Sequence, residues 1–144
     1  MVTMRGVAGV GMIISVHCKG NPQGFVLVDK QRPMGKLHFP ELPVGTFDES
    51  CDFDGADAQI IKDKLGITIN TENIIDLTEM VFQSKYQGVF SAPDQSSECT
   101  RLCCYSIETT EEKIEELKGK WTGILENDQI TLKIVGIDDY WYIQ

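Results

Sequence analysis

Apolar and polar positions alternate along two early stretches, residues 7–18 (VAGVGMIISVHC) and 25–30 (FVLVDK). This period of two in β-branched residues predicts strands. The intervening KGNPQG (19–24) has the composition of a loop or hairpin turn. Residues 33–45, with Pro33, Gly35, Pro40, Pro43 and Gly45, are predicted to be extended or looped. The period then lengthens over DGADAQIIKDKLG (54–66). Ala58, Ile61 and Leu65 fall at i, i+3 and i+7, which predicts a helix capped by Asp54 and stopped at a left-handed Gly66. Residues 74–90 and 99–107 are predicted to form two or three further strands. Thr109-Thr-Glu-Glu112 is a capping-box signature for a second helix through Leu117, with Ile114 and Leu117 as its apolar stripe. A loop over 119–127 and a last alternating strand, QITLKIVG (129–136), complete the chain. This order fits an α/β class with a mixed sheet between helices rather than a doubly wound parallel sheet.

Composition narrows the function classes. The 144 residues suit a single domain, 1–144, and 42% apolar with 24% charged residues is a soluble globular composition. No apolar run approaches the ~18 residues that span a bilayer, and Met1–Gly6 lacks the pattern of a secretory signal. Thirteen basic against twenty-two acidic residues give a net charge of −9, which repels phosphate backbones and argues against nucleic acid as a partner. The five cysteines are odd in number and irregular in spacing, so no disulfide framework is expected and a reduced, cytoplasmic setting is.

The run from Gly45 to Ile67, GTFDESCDFDGADAQIIKDKLGI, resembles a Nudix box, G-x5-E-x7-R-E-U-x-E-E-x-G-U with U a bulky aliphatic. Gly45, Ile61, Gly66 and Ile67 fall on box positions without a gap. The flanks VDKQRP (28–33) and ELPVG (41–45) resemble the corresponding run of the ADP-sugar diphosphatase branch. SAPDQSSE (91–98) resembles that branch's substrate loop, and GKWTG (119–123) its C-terminal segment in plant and fungal members. The resemblance covers roughly residues 5–141 and implies a Nudix fold, a mixed central sheet sandwiched between helices. It also implies Mg²⁺-dependent cleavage of a nucleoside diphosphate joined to another moiety, such as ADP-ribose or ADP-glucose, to AMP and a sugar phosphate.

The catalytic letters of the box differ. Box glutamates one turn apart share a helix face, where their oxygens hold hard Mg²⁺ ions. In this chain the first Glu is Cys51, the Arg is Gln59, the next Glu is Ile60, and the final pair is Asp63-Lys64. Isoleucine donates nothing to a metal and an ammonium repels it. Asp63 remains as the candidate metal ligand, with Asp48, Glu49, Asp52 and Asp54 as loop acids nearby. Two readings of Lys64 stand: it pairs directly with a diphosphate, or it is a solvated helix lysine.

By resemblance, Arg32 meets a phosphate or ribose, or is a strand-end arginine. Glu41 lies beside substrate or metal, or bonds neighbouring backbone. Glu98, in the substrate loop, is with Asp63 the residual catalytic candidate. Other patterns carry less. Cys99, Cys103 and Cys104 read as strand residues of alternating burial rather than a zinc site. Gly6, Gly9 and Gly11 have the wrong spacing for a dinucleotide loop, and Asp52–Asp57 fails as a calcium loop. His17 and His38 have no nucleophile partner identifiable from spacing. Trp121 and Trp141 read as packing anchors. The expected function is thus a Nudix-fold protein with a degraded box. It serves as a nucleotide-sugar-binding or protein-interaction subunit with weak or no hydrolysis. The alternative is an active diphosphatase using Mg²⁺, Asp63, Glu98 and loop acids. The partners expected are a nucleoside-diphosphate-linked small molecule or a protein complex. By resemblance, members of the branch pair as homodimers through an N-terminal β-subdomain; with 24 residues before Phe25 that extension is curtailed, and a homodimer stays open.

Overall fold

The computed structural model describes residues 9–31, 38–83, 100–118 and 131–137. They divide into two compact units, one of Met1–Ile13 with Val44–Tyr105, the other of Ile14–Pro43 with Ser106–Gln144. The class is α/β: a mixed sheet with a few helices, consistent with a Nudix fold.

In the second unit, the end of β1 (Gly9–Cys18) forms a hairpin with β2 (Asn21–Gln31). The predicted alternation holds: Ile14, Val16 and Cys18 are buried, Ser15 and His17 half-exposed. The expected loop over 19–24 contracts to the two-residue turn Lys19-Gly20. Both take positive φ, 51° and 78°, the backbone twist that closes a tight hairpin. Strand pairing resumes at once with Cys18 opposite Asn21, and Pro22 is accommodated opposite His17 beside a register shift at Val16/His17. β2 pairs antiparallel with β8 (Thr131–Gly136), from Gly24 opposite Gly136 to Asp29 opposite Thr131. Gly24 is required there, because a Cβ would overlap the Val135 carbonyl. β3 (His38–Glu41), within the predicted extended stretch, pairs with the end of β2.

α3 (Glu111–Leu117) packs against β8 and buries Ile114 and Leu117, as predicted. Its cap is Thr110, whose hydroxyl accepts the Lys113 amide, and not Thr109. The reason is that the Thr109 amide donates to the His17 carbonyl at 2.9 Å, keeping Thr109 in the strand connection. With Lys113 three residues past the cap, the expected capping box does not form.

In the first unit, the start of β1 pairs with β4 (Val44–Phe47), which pairs with β5 (Phe53–Asp54). α1 (Ala56–Leu65) packs on β4 and β5. Its stop is as predicted: Gly66 adopts φ 69° and its amide bonds the Lys62 carbonyl. Its start is not. Asp54 is held in β5 opposite Thr46, and Gly55, at φ 126°, precedes the helix with no side-chain cap.

The larger correction concerns residues 74–90. Among the described residues of this stretch, Ile75–Asp76 is a strand (β6), paired with β7 (Thr100–Glu108), and Leu77–Phe82 is a helix, α2; residues 84–90 lie outside the described residues. Asp76 initiates that helix: its Oδ1 accepts the Glu79 amide at 2.9 Å. A strongly apolar run thus outweighed, in the sequence, an Asp-x-x-Glu start signal. The loops over 91–98 and 119–127 and the two tryptophans lie outside the described residues.

Candidate functional site

The box segment is a loop, a short strand and α1. Which flank of α1 faces the solvent follows from two buried residues. Ile61 is 1% exposed, and so is Asp57, whose Oδ2 accepts the Val44 amide at 2.8 Å. Positions 57, 61 and 65 therefore face β4 and β5. At about 100° per residue, positions 59 and 63 point away, while 60 and 64 form one flank and 58 and 62 the other.

The outward face carries one carboxylate. Asp63 is exposed, and its Oδ1 accepts the Gln59 Nε2 donor at 2.8 Å, one turn away. Ile60 is half-buried and Lys64 exposed. The helix's other carboxylate, Asp57, lies six residues before Asp63 and about 120° around the axis, turned inward. The two cannot converge on one ion.

The loop before the helix is tied to itself and to Asn70 and Thr71 beyond the helix. Asp48 Oδ1 accepts the amides of Ser50 and Asp52, at 2.8 and 3.0 Å. Asp52 Oδ1 accepts Asn70 Nδ2 at 2.7 Å, and Thr71 donates its amide to the Cys51 carbonyl. Cys51, at the box's first glutamate position, takes φ 63°. A cleft of about 140 Å³ lies here, lined by Asp48, Asp52, Asp54, Gln59, Lys62 and Thr68 among others. It borders the 58/62 flank of α1, opposite Ile60 and Lys64. It is also smaller than the ~300 Å³ at which small-molecule pockets begin, so a nucleotide sugar does not fit it.

The resemblance implies Mg²⁺, and the donors on the outward surface of α1 do not fit that ion. A hard divalent cation needs several oxygen ligands converging on it. On α1 it would meet one carboxylate already holding a hydrogen bond, an aliphatic side chain and an ammonium. Among the described residues, no group of three or more His, Cys, Asp or Glu side chains is arranged to hold a metal.

Of the predicted site residues, Asp63 and Lys64 are adjacent on α1, with Lys64 on the Ile60 flank. Glu41 is half-buried in β3 opposite Val28, in the second unit. Arg32 and Glu98 lie outside the described residues, as does Cys99. Cys103 is buried and Cys104 half-buried, as strand alternation requires.

Sequence reasoning missed a buried ion cluster in the first unit. Arg101, 1% exposed, places Nε 2.6 Å from Asp76 Oδ2 and Nη2 3.2 Å from Glu79 Oε2. Next to it, the Leu102 amide donates to the buried Thr78 hydroxyl at 2.9 Å. Burial pushes the neighbouring Cys103 thiol up to about 12, with the Asp76 carboxylate adding to the shift and Arg101 opposing it. The available signal was Arg101 itself, a charge at the inward phase of the alternation Arg101, Cys103. Also missed was the contact between His17 Nε2 and Ser15 Oγ, at 3.1 Å.

No protein-family profile matches the chain. A search of curated proteins finds similarity to Nudix hydrolase 14, chloroplastic, from Arabidopsis thaliana, 27% identical over 143 residues. The match covers 98% of this chain and 46% of that relative, so the chain spans less than half the relative's length. This similarity supports membership of the Nudix superfamily, a family of nucleotide-related hydrolases. Among the described residues, no helix is long and apolar enough to cross a membrane.

Proposed function

We propose that this chain is a single Nudix-like domain whose box helix no longer serves as a metal-holding face. It binds a nucleoside-diphosphate-linked small molecule such as ADP-ribose or ADP-glucose, or a protein partner, and hydrolyses weakly or not at all. The observation that carries this reading is the outward surface of α1. Ile60 and Lys64 stand on one flank, and Asp63, the one outward carboxylate, is engaged by Gln59. Lys64 is exposed and free to turn its ammonium toward a diphosphate, a role that replaces metal-bridged binding with a direct charge-assisted contact. Glu41, Arg32 and Glu98 remain proposed contributors to ligand binding by resemblance. The reduced, cytoplasmic setting belongs to the same proposal and is favoured by the free thiols of Cys18, Cys51, Cys103 and Cys104.

A second reading, an active Mg²⁺-dependent diphosphatase, is favoured by the relative, which is named a hydrolase. Calorimetric titration of ADP-ribose and ADP-glucose, with and without Mg²⁺, separates the two. The proposal expects metal-independent binding that falls at least tenfold in Lys64→Glu. Undiminished binding in that variant contradicts the role of Lys64. Absence of binding under both conditions leaves the protein-interaction subunit, to be sought by co-purification.

A further inference from the structure

The second unit holds a contact that the box reading does not use. Ser15 and His17 stand two residues apart on β1, so their side chains leave the same face of the strand. It is the half-exposed face, since Ile14, Val16 and Cys18 take the core side. His17 Nε2 lies 3.1 Å from Ser15 Oγ, within the reach expected of a base and its nucleophile. On the other side, Ser15 Oγ lies 2.9 Å from the Ser106 hydroxyl of β7. Ser106 is exposed, so a reagent in solution can approach the trio.

The frame around these groups is fixed. The Thr109 amide donates to the His17 carbonyl, and the Gly20 amide donates to Glu108 Oε1 at 2.8 Å. Contacts advance together from Ser15–Ser106 to His17–Thr109, so β1 and β7 run the same way here, in register. Proton counting then limits the arrangement. Each hydroxyl has one proton, and a neutral imidazole accepts at one nitrogen. Two arrangements satisfy that count: His17 Nε2–H donates to Ser15 and Ser15 to Ser106, or Ser106 donates to Ser15 and the Ser15 proton is directed at His17 Nε2. In the second, the imidazole and an oxygen whose proton is aimed at it are the two parts of an activated serine.

We propose that Ser15 is a nucleophile activated by His17, with Ser106 as a positioning residue, and that its substrates are activated carboxylic esters. In the step, Ser15 Oγ attacks the ester carbonyl carbon. The new bond is Oγ–C, and the bond that breaks joins that carbon to the leaving oxygen. The Ser15 proton passes to His17 Nε2 and departs on the leaving alcohol or phenol. The proposal goes beyond the box reading and stands in the other unit, so either can fail without the other.

The test treats the full chain with a tagged fluorophosphonate, which mimics the tetrahedral stage of acyl transfer. Serine attack forms an O–P bond, fluoride leaves and the proton goes to the base. Peptide mapping is expected to place the tag on Ser15. Ser15→Ala should abolish it, His17→Gln should slow labelling about 100-fold, and Ser106→Ala should slow it by a smaller factor. Ser106→Thr, which keeps the hydroxyl, should label like the parent chain and guards against a misfolded alanine variant. An untagged parent chain, a tag on another residue, or an unchanged rate in His17→Gln overturns the proposal.

Discussion

Two regions of the first unit handle charge in opposite ways. At Arg101, a guanidinium is taken out of water and met by two carboxylates, one of which also starts α2. On the outward surface of α1, the charges stay in water: Asp63 is exposed and accepts from Gln59, and Lys64 is exposed. The box helix nevertheless keeps its placement, with Asp57 on the Val44 amide, Ile61 in the core and Gly66 closing the helix. The comparison teaches that scaffold and chemistry separate cleanly. Residues that position the helix depend on burial and hydrogen bonding. Residues that would hold a metal sit on a solvated surface, where replacement costs the fold little.

The largest effect is expected from breaking the buried side of the comparison. Arg101→Met leaves Asp76 and Glu79 without their cation, and removal of one partner from a buried pair costs about 3–5 kcal/mol. Because both carboxylates are partly exposed, the low end is expected in urea denaturation. Asp57→Ala should cost about 1–3 kcal/mol by orphaning the Val44 amide, with Asp57→Asn recovering part, since its carbonyl can still accept.

Cys103 sharpens the same side through pH. Its folded thiol is raised to about 12, so the unfolded state loses this proton first as pH rises. Its stabilising contribution is therefore full below the ordinary thiol range and is lost between about pH 9 and 12. The slope reaches up to about 1.4 kcal/mol per pH unit, and Cys103→Ala should flatten it. The smallest change in stability is expected on the solvated side. Ile60→Glu/Lys64→Glu restores acids one turn apart and should melt close to the parent without metal. Its melting temperature should then rise with added Mg²⁺, while the parent's stays fixed.

Much of the fold was legible in the sequence because burial imposes its period. β1, β2, β7, β8 and α1 announce themselves by alternation or by i, i+3 spacing, and Gly66 by its place at a helix end. α2 was not legible, because its six residues are too few to display a helical period and its apolar content reads as strand. The caps slipped by one residue, at Gly55 and Thr110, where pairing of Asp54 with Thr46 and of Thr109 with His17 decided the outcome. At the candidate site, the letters at 51, 59, 60, 63 and 64 were readable by register alone. What they lacked was neighbours. That Gln59 holds Asp63, that Asp57 turns inward, and that Ser15 meets both His17 and Ser106 depend on side-chain direction and strand pairing, which spacing in one chain does not convey.

The central proposal is that α1 does not hold the metal that the resemblance implies. Its most direct test is AMP release from ADP-ribose by the parent chain at saturating Mg²⁺, measured against a metal-free control. The account predicts no difference between the two over a time in which bound ligand is recovered intact. Mg²⁺-dependent, multiple-turnover AMP release would contradict it and would mean that acids beyond the outward face of α1 assemble the metal site.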